Sequence, residues 1–216
     1  MIIAIGNQKG GVGKSTLATN LAVSYRHAGL SVIIVEADPS VRTVSLWGQD
    51  RAEQKIAPVS VIRQQGRLTA LLRDLNDRYD VVLVDLPGKD SQELRTAFLA
   101  ADLALLPAQA SQADVDATME MREILDDAQD MNDRLKVAVV LNRVPTHCWN
   151  EEDKEAREVL GQAFENVCET VIHERKAFRV TLRDGLTVME GSDRKARQEI
   201  EELADEVRKY VNGARK

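Results

Sequence analysis

The residues from Lys9 to Thr16 have the types and spacing of a loop that binds phosphate. Glycines at positions 10, 11 and 13 stand where backbone N–H groups and a helix N-terminus can converge on an anion. Lys14 would supply a positive charge to the β and γ phosphates, and the Ser15 hydroxyl would ligate Mg²⁺. A glycine turn before a helix also occurs without a ligand, but the strand, loop and helix context favours a nucleotide. With ATP and Mg²⁺ as expected ligands, the predicted binding residues are Gly10, Gly11, Val12, Gly13, Lys14, Ser15 and Thr16.

Two aspartates follow apolar runs and could complete this site. Asp38 lies just past the run Val32 to Val35, where a carboxylate could face the γ phosphate and orient the attacking water. The alternative is an aspartate that only caps a turn before a proline. Asp85 ends the run Val81 to Val84, and we expect it to hold Mg²⁺ through water beside the phosphate loop. Gly88 would then approach the γ phosphate.

Short apolar runs alternate with helical patterns along most of the 216 residues. Such runs are typical of strands that are buried on both faces, and the alternation predicts an α/β fold. We expect a mostly parallel sheet with helices on both faces, in a single domain spanning residues 1–216. In such a sheet, ligands bind beyond the carboxyl ends of the strands, which is where the candidate residues stand. The predicted strand runs are Ile2 to Ile5, Val32 to Val35, Val81 to Val84, Leu103 to Leu106 and Val137 to Leu141.

The phosphate loop departs from the usual P-loop pattern, because Gln8 stands where a glycine is expected and Lys9 follows it. The run Lys-Gly-Gly-Val-Gly-Lys-Ser-Thr resembles the deviant Walker A motif of the ParA/MinD family of P-loop ATPases, and the resemblance covers essentially the whole chain. It implies that Lys9 reaches across a nucleotide-sandwich homodimer to the partner's phosphates, as an arginine finger does. It also implies that Asp38 is the catalytic aspartate. The family usually has glutamine after the following proline, where this chain has Ser40.

Further residues match the family in the carboxyl-terminal half. Asn142 ends a predicted strand and looks like the adenine-reading asparagine, and Arg143 follows it. The stretch from Val171 to Gly185 is similar to that of small plasmid-partition ATPases of the ParF kind, which implies a base-flanking loop. For Arg143 and Arg175, ordinary surface arginines are the open alternative.

Two basic stretches are candidates for DNA binding. The chain has 29 lysines and arginines against 35 acidic residues, so its formal charge of −6 restricts any DNA contact to a local patch. Contacts from these groups to phosphate would depend on salt and not on base sequence. A solvated basic face is the alternative. The residues are Arg175, Lys176, Arg179, Arg183, Arg194, Lys195 and Arg197.

Several classes of protein are disfavoured by the sequence. Cys148 and Cys168 form no short-spaced pair, which argues against a cysteine metal framework and fits two buried thiols. No signal-peptide pattern, no apolar run of about 18 residues and no amino-terminal helix-turn-helix extension is found. The last helical pattern, around Ile200 to Tyr210, has an acidic polar face that acidic lipids would repel. We expect a cytoplasmic, nucleoid-associated protein with its apolar stripe packed on the domain.

These observations predict a ParA-like ATPase that dimerises around ATP and binds DNA non-specifically in that state. A small DNA-binding or adaptor partner protein would stimulate hydrolysis to ADP and phosphate, and a plasmid, chromosome region or other cargo would be segregated or positioned. The main alternative is a nucleotide-dependent regulatory or scaffold switch that positions a protein assembly without touching DNA. A metabolic P-loop enzyme is disfavoured, because no substrate motif accompanies the nucleotide motif.

Overall fold

The computed structural model describes residues 1–146 and 151–213, and a parallel β-sheet lies at its centre. The strand order is β3-β2-β4-β1-β5-β6-β7, with β8 also paired to β6, and every pairing in the described ranges is parallel. This confirms the predicted α/β fold of the P-loop type. The strands are β1 (Ile2–Ile5), β2 (Val32–Glu36), β3 (Ser60–Arg63), β4 (Val81–Asp85), β5 (Leu103–Ala108), β6 (Lys136–Val144), β7 (Asn166–Val167) and β8 (Ile172–His173).

Helices cover both faces of the sheet. Side chains alternate between the faces along a strand, so Ile2 and Ala4 of β1 join one buried cluster while Ile3 and Ile5 join the other. The two clusters form the core above and below the sheet. The helices are α1 (Lys14–His27), α2 (Thr43–Glu53), α3 (Thr69–Asn76), α4 (Gln92–Phe98), α5 (Gln112–Met119), α6 (Met121–Met131), α7 (Glu151–Ala163), α8 (Lys176–Arg183) and α9 (Arg194–Gly213).

The register of the central strands brings the candidate site residues to the carboxyl edge of the sheet. Asp85, the last residue of β4, is paired with Ile5 at the end of β1 and with Glu36 at the end of β2. The phosphate loop starts just after Ile5, and Asp38 lies two residues beyond Glu36. The three segments therefore leave the sheet side by side at its carboxyl edge, as expected for a parallel α/β sheet.

The predicted strand runs all lie within strands, whereas three short strands were not predicted. β3 is an edge strand whose residues are exposed or half-buried, and β7 and β8 have two residues each. Runs this short and this polar carry no recognisable pattern of burial. Contacts with neighbouring strands and with α2, α7 and α9 stabilise them.

The apolar stripe of α9 packs against the domain as predicted. Ile200, Leu203 and Val207 are fully buried, and the Tyr25 hydroxyl of α1 donates to the Ala204 carbonyl oxygen at 3.2 Å. Within residues 1–146 and 151–213, no helix combines the length and the apolar character that crossing a bilayer requires. Cys168 is a buried free thiol, and Cys148 lies outside the described residues.

Candidate nucleotide site

Hydrogen bonds from Asn7 hold the phosphate loop in place. Asn7 is buried and was not among the predicted site residues. Its Nδ2 donates to the Pro107 carbonyl oxygen at 3.0 Å and to Thr118 Oγ1 at 2.9 Å, and its Oδ1 accepts from the Lys9 backbone N–H at 3.1 Å. Lys14 Nζ donates to the Lys9 carbonyl oxygen at 2.8 Å and to that of Asn7 at 3.3 Å. The loop is therefore fixed before any ligand arrives. An asparagine that follows an apolar strand after a single glycine was the available signal.

Lys14 is itself buried, with 8% of its surface exposed. This burial lowers the pKa of the ammonium group, while the nearby charges of Asp85 and Asp38 oppose that shift. The hydrogen bonds of this desolvated cation go to carbonyl oxygens, so it is incompletely compensated, and anionic phosphates would compensate it. Lys14 therefore fits the predicted phosphate-binding role.

Two glycines permit close approaches that a side chain would prevent. Gly13 has φ 95°, and a Cβ there would lie 2.3 Å from Asn142 Nδ2. At Gly88, a Cβ would lie 3.2 Å from Gly10 Cα and 3.2 Å from Lys14 Nζ. The segment after β4 therefore passes directly over the phosphate loop, as expected for a group that contacts a terminal phosphate.

Asp85 and Ser15 form a site that fits a divalent cation. The Ser15 hydroxyl donates to Asp85 Oδ2 at 2.7 Å, whereas the buried Asp85 Oδ1 has no hydrogen-bond partner among the residues that the structure describes. Burial raises the pKa of the Asp85 carboxyl to about 7, although the Ser15 hydrogen bond and the charge of Lys14 both lower it. An incompletely satisfied buried carboxylate next to a hydroxyl is the oxygen donor set that Mg²⁺ prefers.

The described residues contain no group of three or more His, Cys, Asp or Glu that could hold a metal.

Asp38 lies in the same cleft as Lys14. The cleft has a volume of about 320 Å³. Its lining includes every residue of the P-loop from Gly10 to Thr16 except Val12, together with Asp38, Val41 and Gly88. Asp38 Oδ1 accepts from the Ser40 backbone N–H at 2.8 Å and from Ser40 Oγ at 2.6 Å. The structure thus places the predicted catalytic carboxylate beside the predicted phosphate site, in a turn that Ser40 stabilises.

Glu36 connects the two ends of the loop that carries Asp38. Its buried Oε1 accepts from the backbone N–H groups of Val44 at 2.8 Å and Ser45 at 3.3 Å, in the first turn of α2. Arg63 Nε lies 3.2 Å from its Oε2. A carboxylate at a helix N-terminus is stabilised by the helix dipole and by the unpaired N–H groups there. Glu36 therefore ties the start of the loop to its end. An acidic residue ending an apolar strand was the sequence signal for this role.

A second cleft, of about 210 Å³, adjoins the first and shares Gly11, Gly13 and Thr16 with it. Asn142 lines it and donates from Nδ2 to the Val12 carbonyl oxygen at 2.6 Å. Arg143 has φ 59° and donates to the Gly11 carbonyl oxygen at 2.8 Å and to Glu174 Oε1 at 3.0 Å. The segment predicted as a base-flanking loop instead contains β8 and α8, and residues of both elements line this cleft. The cleft has the position that a base would need, and adenine contacts stay a prediction.

Lys9 differs from Lys14 in its environment. Its backbone is held by Asn7 and by Lys14, but its half-buried side chain has no hydrogen bond or ion pair within residues 1–146 and 151–213. Nothing in the described part of its own subunit therefore holds the Lys9 ammonium group.

The seven predicted DNA-binding residues are not equally available. Arg175 donates to Glu199 Oε1 at 2.7 Å and has only 17% of its side chain exposed. Arg179 and Arg183 are exposed, and they form ion pairs with Glu174 and Asp184 respectively. Arg197 is half-buried and donates to the Gly191 carbonyl oxygen.

Three of the seven are exposed and have no ion-pair partner among the residues that the structure describes. We call them the unpaired basic set: Lys176, Arg194 and Lys195.

A partly buried ion pair joins α2 to the segment that follows α8. Arg51 of α2 contacts Glu190 at 2.6 Å and stacks on the Trp47 ring, 5.3 Å from its centroid. Trp47 Nε1 donates to the Leu186 carbonyl oxygen at 2.9 Å. The helix that begins next to Asp38 is thus fixed to the region that precedes α9, a link that the sequence alone did not reveal.

Comparisons with known proteins show the family of the chain. The chain matches the family described as the CobQ/CobB/MinD/ParA nucleotide binding domain over residues 3–188. The maintenance of carboxysome distribution protein A of Halothiobacillus neapolitanus is 28% identical over 211 residues, which cover 95% of each chain. The chromosome-partitioning ATPase Soj of Thermus thermophilus is 30% identical over 168 residues, which cover 64% of this chain and 67% of that protein.

Among solved structures, the septum site-determining protein MinD of Pyrococcus horikoshii, in complex with Mg-ADP, has the same fold. The TM-score is 0.77 at 22% identity, and the superposition covers 99% of this chain and 98% of that one.

Proposed function

Because this chain belongs to the CobQ/CobB/MinD/ParA family of nucleotide-binding domains, we propose that it is a ParA-like ATPase that uses Mg²⁺. Residues 1–216 would act as one ATPase domain. Lys14 and the backbone N–H groups of the phosphate loop bind the phosphates, and Ser15, with Asp85 through water, holds the metal, which neutralises phosphate charge when bound. Asp38 orients the attacking water. The water oxygen bonds to the γ phosphorus, the bond to the β-phosphate oxygen breaks, and ADP, phosphate and a proton are released.

The observation that carries the proposal is the contrast between the two lysines of the loop. Lys14 is buried and turned onto its own loop, whereas Lys9 has no partner in the described part of its own subunit. A cation placed beside a phosphate site without a local partner is suited to act on a neighbouring subunit. In the proposed homodimer, two ATP molecules lie between the subunits and Lys9 stabilises charge on the partner's phosphates.

The ATP dimer would bind nucleoid DNA without sequence preference and position a cargo, until a small DNA-binding or adaptor protein stimulates hydrolysis. The unpaired basic set supports DNA binding, since exposed lysine and arginine side chains can contact phosphates without first breaking an ion pair. The relatives named for chromosome partitioning and for carboxysome distribution support positioning in general, with a DNA or a protein cargo.

A switch that positions a protein assembly without DNA is the second candidate. It is favoured by the carboxylates that already occupy Arg175, Arg179 and Arg183, together with the formal charge of −6. A gel shift on two unrelated DNA fragments, with and without ATP, separates the two candidates. ATP-dependent retardation of both fragments supports DNA binding, and no retardation at low salt supports the switch.

The dimer is tested with a mixture of two inactive variants. Lys9→Ala should bind ADP normally but fail to hydrolyse ATP, and Asp38→Ala should bind ATP and not turn it over. In a mixed dimer, the intact Lys9 of the Asp38→Ala subunit reaches the site that still has Asp38, so activity should partly return. A cation placed in this way contributes about 10³-fold or more to the rate in related reactions.

Crosslinking or mass measurement must show that heterodimers form in the mixture. If they form and the mixture stays inactive, Lys9 does not act across the dimer and the proposed arrangement is wrong.

A further inference from the structure

Ser40 departs from the pattern of the resembled family, and it also contacts the proposed catalytic carboxylate directly. Its backbone N–H and its hydroxyl both donate to one oxygen of Asp38, at 2.8 and 2.6 Å. No hydrogen bond to the other oxygen, Oδ2, is found within the described residues. We propose that Ser40 is a positioning residue that holds Asp38 Oδ1 and so reserves Oδ2 for the attacking water. The inference rests on the proposed role of Asp38.

The geometry gives this contact a specific effect on rotation. The terminal torsion of an aspartate side chain is broad and nearly two-fold, so an unrestrained carboxylate exchanges its two oxygens readily. Two donors on one oxygen remove that freedom. Asp38 is half-buried and lines the cleft that contains Lys14 and Gly88, so a fixed carboxylate there presents a defined acceptor to a water beside the phosphate.

The neighbouring backbone leaves the hydroxyl as the adjustable part of the contact. Pro39 has no N–H, so the Ser40 N–H is the first donor after Asp38. Glu36 binds the first turn of α2, which fixes both ends of the intervening loop. Replacing Ser40 by alanine keeps the backbone donor and removes only the hydroxyl bond.

The experiment measures single-turnover ATP hydrolysis and, separately, ATP affinity. Ser40→Ala should lower the hydrolysis rate about ten- to a hundredfold, the order expected for the loss of one hydrogen bond to a charged group, with ATP affinity unchanged. Ser40→Thr keeps a hydroxyl and should retain most of the rate. The matched control is Ser192→Ala, which removes an exposed serine hydroxyl elsewhere and should leave both quantities unchanged.

Adding Ser40→Ala to Asp38→Ala should not lower the residual rate further, because the two residues act as one unit. Thermal unfolding of each variant checks that Ser40→Ala remains folded.

The outcomes separate this inference from the proposed function. If Asp38→Ala is inactive and Ser40→Ala hydrolyses ATP at the wild-type rate, the role of Ser40 is refuted and that of Asp38 stands. If Asp38→Ala is fully active, both fall. A loss of ATP affinity in Ser40→Ala that matches its loss of rate would show a structural role for the hydroxyl and would also overturn the inference.

Discussion

Replacing Asp85 by asparagine should stabilise the nucleotide-free protein, and more so at high pH. Burial raises the pKa of this carboxyl to about 7 from an ordinary value of 3.8. The folded protein therefore binds this proton more tightly than the unfolded chain does. The stability that the proton supplies is complete below pH about 4 and is lost as the pH rises through about 7. Asparagine is neutral throughout and can still accept the Ser15 hydrogen bond.

The magnitude follows from the same difference in pKa. At 1.36 kcal/mol per pKa unit, the cost of ionising Asp85 in the folded protein reaches an upper bound of about 4 kcal/mol above pH 7. At pH 5 part of that cost is already present, so the advantage of Asp85→Asn should grow by about 2 to 3 kcal/mol between pH 5 and pH 8.

Urea denaturation of the nucleotide-free wild type and variant, at pH 5 and at pH 8, measures this directly. Asp77→Asn is the matched control, because it makes the same change at an exposed aspartate of the same chain. The reasoning is wrong if the difference between Asp85→Asn and wild type is the same at both pH values. In the presence of Mg²⁺ and ATP the order should reverse, since the wild type gains binding energy through a carboxylate that the variant lacks.

Three further outcomes are expected. Lys14→Ala should abolish ATP binding in calorimetry. The unfolding free energy of the nucleotide-free protein should change by less than about 1 kcal/mol, because the lysine is buried without an ionic partner at bonding distance. Arg51→Met should lower the unfolding free energy by about 3 kcal/mol in urea, because Glu190 loses its partner, and Glu190→Gln in the same chain should restore part of it. Replacing the unpaired basic set with alanine should weaken ATP-dependent DNA binding equally on unrelated sequences. It should also reduce the dependence of log affinity on log salt by about two to three; an unchanged slope would place the DNA surface elsewhere.

Much of the candidate site could be predicted because its signals are local in sequence. The loop from Lys9 to Thr16 is continuous, and its glycines, lysine and hydroxyl are required at fixed spacing by the phosphate and metal that it binds. Asp38 and Asp85 follow apolar runs, and a parallel sheet places all such strand ends on one edge whatever the order of its strands. The roles of these residues stay predictions until the variants are measured.

The DNA-binding prediction shows the opposite case. Arg175 stands in a basic stretch of sequence, but Glu199, which is 24 residues away, occupies its guanidinium group. A count of nearby charges cannot find a partner that another helix supplies. The same limit hid the contact between Arg51 and Glu190, which are 139 residues apart.

The sequence by itself therefore determined the fold class, the phosphate loop and the identity of the carboxylates that stand near it. Periodicity and motif spacing are properties of short segments, so they can be recognised without knowing how the chain folds. Only the tertiary structure decided which carboxylate oxygen remains unsatisfied at Asp85, how Glu36 closes the loop of Asp38, and which cations are already paired. These depend on strand order, register and helix packing, which bring together groups that are distant in sequence, and it is burial at those contacts that sets charge, pKa and availability.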